Sequence, residues 1–382
     1  MRATVLEDKS LARHAGRFVW LSIDTENAKN AEFLKKYPVN VWPSMFVIDA
    51  GRETAAMRWV GGATAVQLVS ILYDGVRAVR RSKGGFEEEL TRADRLYADG
   101  KNAEAAASYR KALALAPRGW PRYGRTIESL LFALESSGDS TGCALLARET
   151  YPRLRDTPSA VGVSASGLGC AVDLPAGYPD RAKIVGDFER DVEAVMADPK
   201  RNMSGDDRSG LYQTLIAARE DAKDDSGRAR LTREWSNFLD GEASRAKSPE
   251  QRASFDSHRL SAYIALKEPQ RAIPMLEQSE RDLPEDYNPP ARQAVAYKEM
   301  REWDKALAAS DRALARAYGP RRLGILRTRF EIFDGKGDKE SARATLAQAI
   351  REGEALPEGQ KIPGMVAALK KKLDALEAPA AH

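Results

Sequence analysis

The chain has 382 residues, 43% of them hydrophobic and 30% charged, a composition that excludes a disordered protein. Sixty basic side chains stand against 56 acidic ones with the signs interspersed, so no basic face argues for nucleic acid. No apolar run approaches the roughly 18–20 residues of a membrane span, and no cofactor is implied.

Residues 1–8 lack the apolar stretch of a secretory signal, which places the polypeptide in the cytoplasm by default. Phe18–Asp24 is a short apolar, β-prone run and predicts a buried strand. Asn27 can cap a helix over Ala28–Tyr37, with Ala31, Phe33 and Leu34 toward its buried side and Pro38 ending it. Trp42-Pro43-Ser44 leads into a second strand, Met45–Ile48. Ala50-Gly51-Arg52 is a hairpin turn, and Ala55–Val60 is the returning strand. Gly61-Gly62 breaks the chain before a helix from Thr64 to about Arg81, with Leu68, Ile71 and Leu72 as its apolar stripe.

The order strand, helix, strand, hairpin, strand, helix resembles the back portion of the thioredoxin fold, an α/β architecture. The resemblance is carried by Phe18–Asp24, Tyr37-Pro38-Val39, Trp42-Pro43-Ser44 with Met45–Asp49, and Val60-Gly61-Gly62. It implies that Pro43 is cis and that Trp42 and Pro43 contact an extended substrate peptide. Thioredoxins work through Cys-X-X-Cys at a helix start, and no cysteine precedes Cys143 here. Residues 1–81 are therefore a partial thioredoxin-like domain, non-catalytic as it stands. Either it is a pseudo-domain propped by the helical repeats, or Met1 is an internal methionine and a strand with Cys-X-X-Cys lies upstream. The second reading is preferred. It would make the protein a thiol–disulfide oxidoreductase, and an added signal sequence would move it to the bacterial periplasm or cell surface.

Ser82–Gly85 reads as a short boundary. Beyond it, Ala93, Leu96, Ala105, Tyr109, Ala112 and Pro117 set a spacing, with Gly100 at the turn. A degenerate second frame uses Leu131, Leu134, Gly138, Cys143 and Ala147. Cys143 and Cys170 are expected as buried thiols between helices. With His14, His258 and His382 scattered, nothing has the clustering of a metal site. The run Ala165–Ala171 holds two glycines but lacks the lysine of a phosphate loop, and is read as small residues in a packed helix. Ile184, Phe188, Val192 and Val195, then Leu211, Leu215 and Ala218, keep helical spacing. Asp224–Gly227 is a turn, and the acidic residues Asp187, Glu189, Asp191 and Glu193 form a solvated face.

The spacing returns in Leu260, Tyr263, Ala272, Leu276, Ser279 and Pro284. It recurs 34 residues on in Ala294, Tyr297, Ala306, Ser310, Ala313 and Tyr318, and 36 further in Phe330, Phe333, Ala342, Leu346, Ala349 and Glu354. Small residues at helix-crossing points with an aromatic three positions along predict closely packed helix pairs. The period and pattern resemble the tetratricopeptide repeat. This implies an all-α solenoid over 86–378, clearest at 86–119, 253–286, 287–320 and 323–356, with a capping helix at 363–378.

Two functions of different class are open to such a chain. One is a scaffold that holds protein segments in a groove along the first helices, with Tyr97 and Lys298 pointing outward from them. The other is the oxidoreductase with its cysteine pair upstream. An adaptor gripping anionic C-terminal tails fits least, because the extrapolated inner faces carry Glu87, Leu90, Asp94 and Tyr97, then Ser254, Ser257 and Ser261. For these 382 residues, the scaffold is the reading.

Overall fold

The computed structural model describes residues 5–6, 8–14, 16–39, 41–80, 84–201 and 203–377. They divide into two compact units. Unit 1 is Met1–Arg17 with Val39–Thr232; unit 2 is Phe18–Pro38 with Arg233–His382.

In unit 1, β1 (Ser44–Asp49) and β2 (Thr54–Val60) form an antiparallel hairpin, with Met45 opposite Trp59 and Val47 opposite Met57. The Trp42–Pro43 peptide bond is cis. The helix after the hairpin, spanning Ala65–Arg80, buries Leu68, Ile71 and Leu72 as the stripe predicts; Met57 and Ala63 share its small core. The expected third strand is not there. Phe18–Asp24 makes no ladder; Val19 and Leu21 are 88% and 66% exposed, and the segment belongs to unit 2. A strand needs a partner edge, and this run finds none, because residues 24–26 are tied to the C-terminal repeats instead. Among the described residues the sheet has two strands, so the structure shows a hairpin and not the partial thioredoxin-like domain expected over 1–81.

With α1 (Ala31–Lys36) lying in the Phe18–Pro38 segment, the hairpin's helix is α2, and helix pairs come after it. These are α3 (Gly85–Ala98) with α4 (Asn102–Leu115), α5 (Tyr123–Ser136) with α6 (Ser140–Leu154), and α7 (Ala160–Val172) with α8 (Arg181–Ala197). The next pair is α9 (Gly205–Asp221) with α10 (Asp225–Arg245). Short connections make successive helices antiparallel neighbours. Alanines at the crossing points, Ala93, Ala105 and Ala112, are wholly buried and let the backbones close on one another. Gly167 does the same in α7: a side chain there would overlap the ring of Phe188. Two details differ from expectation. Asp224 caps α10 by accepting from the Gly227 N–H at 2.9 Å, so the helix starts inside the expected turn. Cys143 and Cys170 form a disulfide rather than two thiols. They sit on facing helices, α6 and α7, whose small residues bring the two Cα atoms to 5.9 Å. Of the expected boundary, Ser82 and Lys83 lie outside the described residues.

Unit 2 continues with α11 (Pro249–Ala253) and α12 (Asp256–Ala265) before α13 (Ala272–Asp282). Then come α14 (Asn288–Glu299) with α15 (Trp303–Arg316), α16 (Arg321–Lys336) with α17 (Lys339–Glu354), and α18 (Pro363–Glu377). The recurring positions are its core: Leu260, Tyr263, Ala272, Leu276, Ala294, Ala306, Ala313, Phe330, Ala342, Leu346 and Ala349 are buried. In α18, Val366 and Leu369 face inward while Lys370, Lys371 and Lys372 are exposed, which closes the stack with a polar outer surface. The described residues from Gly85 onward are helices and their connections, a tetratricopeptide-like arrangement, and both strands lie before Gly61. None of these helices is long and apolar enough to cross a membrane.

Candidate functional site

The connection from α4 to α5 and the first turn of α5 carry a dense run, Arg118-Gly119-Trp120-Pro121-Arg122-Tyr123-Gly124-Arg125. Trp120 is buried edge-on against Phe86, with ring centroids 5.2 Å apart, which anchors the connection. Arg122 lies over the Trp120 ring at 5.0 Å and pairs with Glu87 and, at 3.8 Å, with Asp74 of α2. One helical turn on, Arg125 Nε is 3.3 Å from Asp74 and Arg125 Nη2 is 3.3 Å from Asp94. The Tyr109 hydroxyl donates to Asp94 at 2.8 Å.

These groups set one another's charge. Burial pushes the Asp94 carboxyl above its ordinary range, with Arg125 and Tyr109 pulling the other way. Burial also raises the Tyr109 phenol, helped by Asp94, so it stays a donor. Arg125 is opposed by its burial, but Asp94 and Asp74 more than offset this and hold it protonated. Its Nη1 is buried without a hydrogen-bond partner.

Four members of this network, Asp74, Trp120, Arg122 and Arg125, line a cleft of about 1240 Å³ within unit 1. One wall is α2 with the residue before it, through Thr64, Gln67, Ser70 and Arg77. The others are three successive connections between helix pairs: α4 to α5, α6 to α7 and α8 to α9. Arg153 lies 4.5 Å over the Tyr123 ring. Arg201 bridges two connections, donating to the Thr157 and Arg155 carbonyls at 2.8 and 2.9 Å. Arg118, Arg153 and Lys200 are exposed at the rim. Glu128 lies in the same wall; burial pushes its carboxyl up to about 7, against a hydrogen bond from Ser159. The lining thus carries more cations than carboxylates: Arg122 and Arg153 are set on aromatic faces, and Asp74, Glu128, Asp156 and Asp198 are its acidic groups. Among the described residues no group of three or more His, Cys, Asp or Glu side chains could hold a metal ion.

The residues singled out from the sequence lie elsewhere. Trp42 and Pro43 are exposed just ahead of β1 and do not line the cleft. Tyr97 does not point outward: it is buried, with Arg58 5.8 Å over its ring. It shares the core stripe of α3 with Leu90 and Asp94, so the extrapolated inner face was the packed face. Lys298, in unit 2, is ion-paired with Glu331 of α16 at 2.8 Å and with Glu299 at 3.2 Å, not free for a ligand. The groove residues that helix faces did not reveal are those of the connections. Their one local signal was the alternation of arginine with Trp120 and Tyr123.

No family model matches the chain, and no curated protein matches it. Among solved structures it is similar to a tetratricopeptide repeat protein from Parabacteroides merdae, at 12% identity and a TM-score of 0.45, covering 77% of this chain and 99% of that one. A thermophilic TPR protein of Thermus thermophilus aligns at 14% identity and a TM-score of 0.25, over 76% of this chain and 98% of that one. The TPR2AB domain of yeast Sti1 in its complex with pHSP90 aligns at 14% identity and a TM-score of 0.30, over 77% and 98%. At these scores the likeness decides nothing for this chain, whose repeat architecture rests on its own helix pairs.

Proposed function

We propose that the chain is a protein-interaction scaffold and that the arginine-rich cleft of unit 1 holds an extended acidic segment of a partner protein. The observation that carries this is the rim itself: Arg118, Arg153 and Lys200 stand exposed around a roomy cleft whose floor arginines are already neutralised by Asp74, Asp94 and Glu87. The rim cations are therefore the part of the surface left to attract a ligand. In this reading the β1–β2–α2 unit is non-catalytic. It supports the repeats by seating Arg58 over Tyr97 and Asp74 between Arg122 and Arg125, and the thioredoxin resemblance is confined to it.

The oxidoreductase reading lacks an accessible thiol in this chain, since Cys143 and Cys170 are buried and paired. Their pairing favours an oxidising compartment, because such bonds persist chiefly outside the reducing cytosol. The test of the scaffold is an array of twelve-residue peptides graded by net charge, probed with the whole chain and with R118E/K200E. Net-negative peptides should be captured, less so at high salt, and the double reversal should weaken capture at least about tenfold, the size of one lost charged contact. A preference for neutral or basic peptides, or capture unchanged by the reversal in a folded variant, would contradict it.

A further inference from the structure

Unit 2 has connections of the same kind, and along them lies an acidic stretch of the chain itself. Asp24 accepts from the Tyr318 hydroxyl at 2.6 Å. Glu26 accepts from the Tyr287 hydroxyl at 2.8 Å and from Arg321 Nε at 2.6 Å. The backbone is held too: Gln360 Nε2 donates to the Thr25 carbonyl at 3.0 Å. Tyr287 and Arg321 stand at the starts of α14 and α16, where helix N-termini favour carboxylates. After Asn27, whose side chain accepts from the Lys29 N–H, the stretch winds into α1, and Ala31, Leu34 and Tyr37 are buried.

Two glycines fit the repeats to this occupant. A side chain at Gly319 would overlap the Glu26 carbonyl oxygen, and one at Gly359 would overlap the Ala31 carbonyl oxygen. Charge-specific side chains, a side-chain donor to the segment's backbone and two tight approaches together describe a surface shaped for a peptide. The residues just before it have no such hold: Val19 and Leu21 are exposed.

We propose that the connection edge of unit 2 is a peptide-binding site for an acidic segment running into a short helix, and that residues 24–36 are its built-in, displaceable occupant. The competitor it would admit has two carboxylates two residues apart, then a turn and a helix with a buried aliphatic side chain. This site is separate from the cleft of unit 1 and stands or falls independently of it.

The experiment evicts the occupant and offers it back. In full-length D24K/E26K, amide exchange over residues 24–36 should rise. A fluorescein-labelled peptide with the sequence of residues 22–38 should then bind saturably, at least tenfold tighter than to the unaltered chain. Adding R321E to the variant, or D24K/E26K to the peptide, should abolish binding. If the segment is released but no peptide binds, or if both chains bind the peptide equally, the proposal is wrong. A second variant acts from the other side: G359A should speed exchange over residues 24–36 while leaving α16 and α17 protected. Unaltered exchange in G359A would overturn the proposal even if the charge variant fails to fold.

Discussion

Arg125 is surrounded by two carboxylates and the phenol that serves one of them, all largely out of water. Removing one member of such a network strands the others, which is far costlier than losing a surface pair. R125A should therefore destabilise the chain by about 3–5 kcal/mol in urea unfolding, and Y109F, which removes one hydroxyl, by about 1–2 kcal/mol. Equal, small effects would mean the network is not buried as described. Glu128 makes a second residue-scale test. Its folded pKa, about 7, lies above the ordinary glutamate value of 4.5. Its contribution to stability is thus fully present below pH 4.5 and is lost as pH rises through about 7. E128Q should remove this fall, on the order of 3 kcal/mol, in unfolding curves taken at pH 4.5 and pH 8. The same charge appears in the cleft above pH 7, so acidic peptides should bind the unaltered chain more weakly there than E128Q.

Among the elements, what could be read from the sequence was what is set locally. The spacing from Leu260 to Ala349 marks helix stripes, and those residues are the core because a helix buries whatever lies on one side. The hairpin around Gly51 and the stripe of α2 were legible for the same reason. Three readings depended on partners the local pattern does not name. Phe18–Asp24 has strand composition but no neighbouring edge. Tyr97 sits one turn from Asp94 and two from Leu90, so extending a helical frame from distant repeats turned a core residue outward. Cys143 and Cys170 pair only because α6 and α7 face each other, 27 residues apart in sequence. Closing that loop restricts the unfolded chain, and C143S/C170S should cost about 3 kcal/mol. A matching fall in thermal midpoint should appear on treating the unaltered chain with reductant. An unchanged midpoint would mean the bond contributes nothing. Gly167 tests the packing between α7 and α8: G167A pushes a methyl into Phe188 and should cost about 1–3 kcal/mol.

Across the chain as a whole, helix pairs form the framework, and the proposed binding chemistry lies on the connections between pairs. In unit 1 three connections roughly 35 to 47 residues apart in sequence, near Arg118, Arg153 and Lys200, converge on one cleft. That separation is why no single stretch of sequence displayed it. In unit 2 the connections at Tyr287, Tyr318 and Gln360 hold an acidic segment already. The functional reading rests on the unit 1 cleft receiving an acidic segment from another protein. A photo-crosslinking amino acid placed at position 118, 200 or 42 of the full chain probes this at the cleft itself. Each variant is irradiated with a labelled acidic peptide selected from the charge-graded array. Crosslinks from 118 and 200, absent from 42 and competed by unlabelled peptide, are the expected result. Crosslinking from position 42 with none from 118 or 200 would contradict a ligand-binding cleft in unit 1.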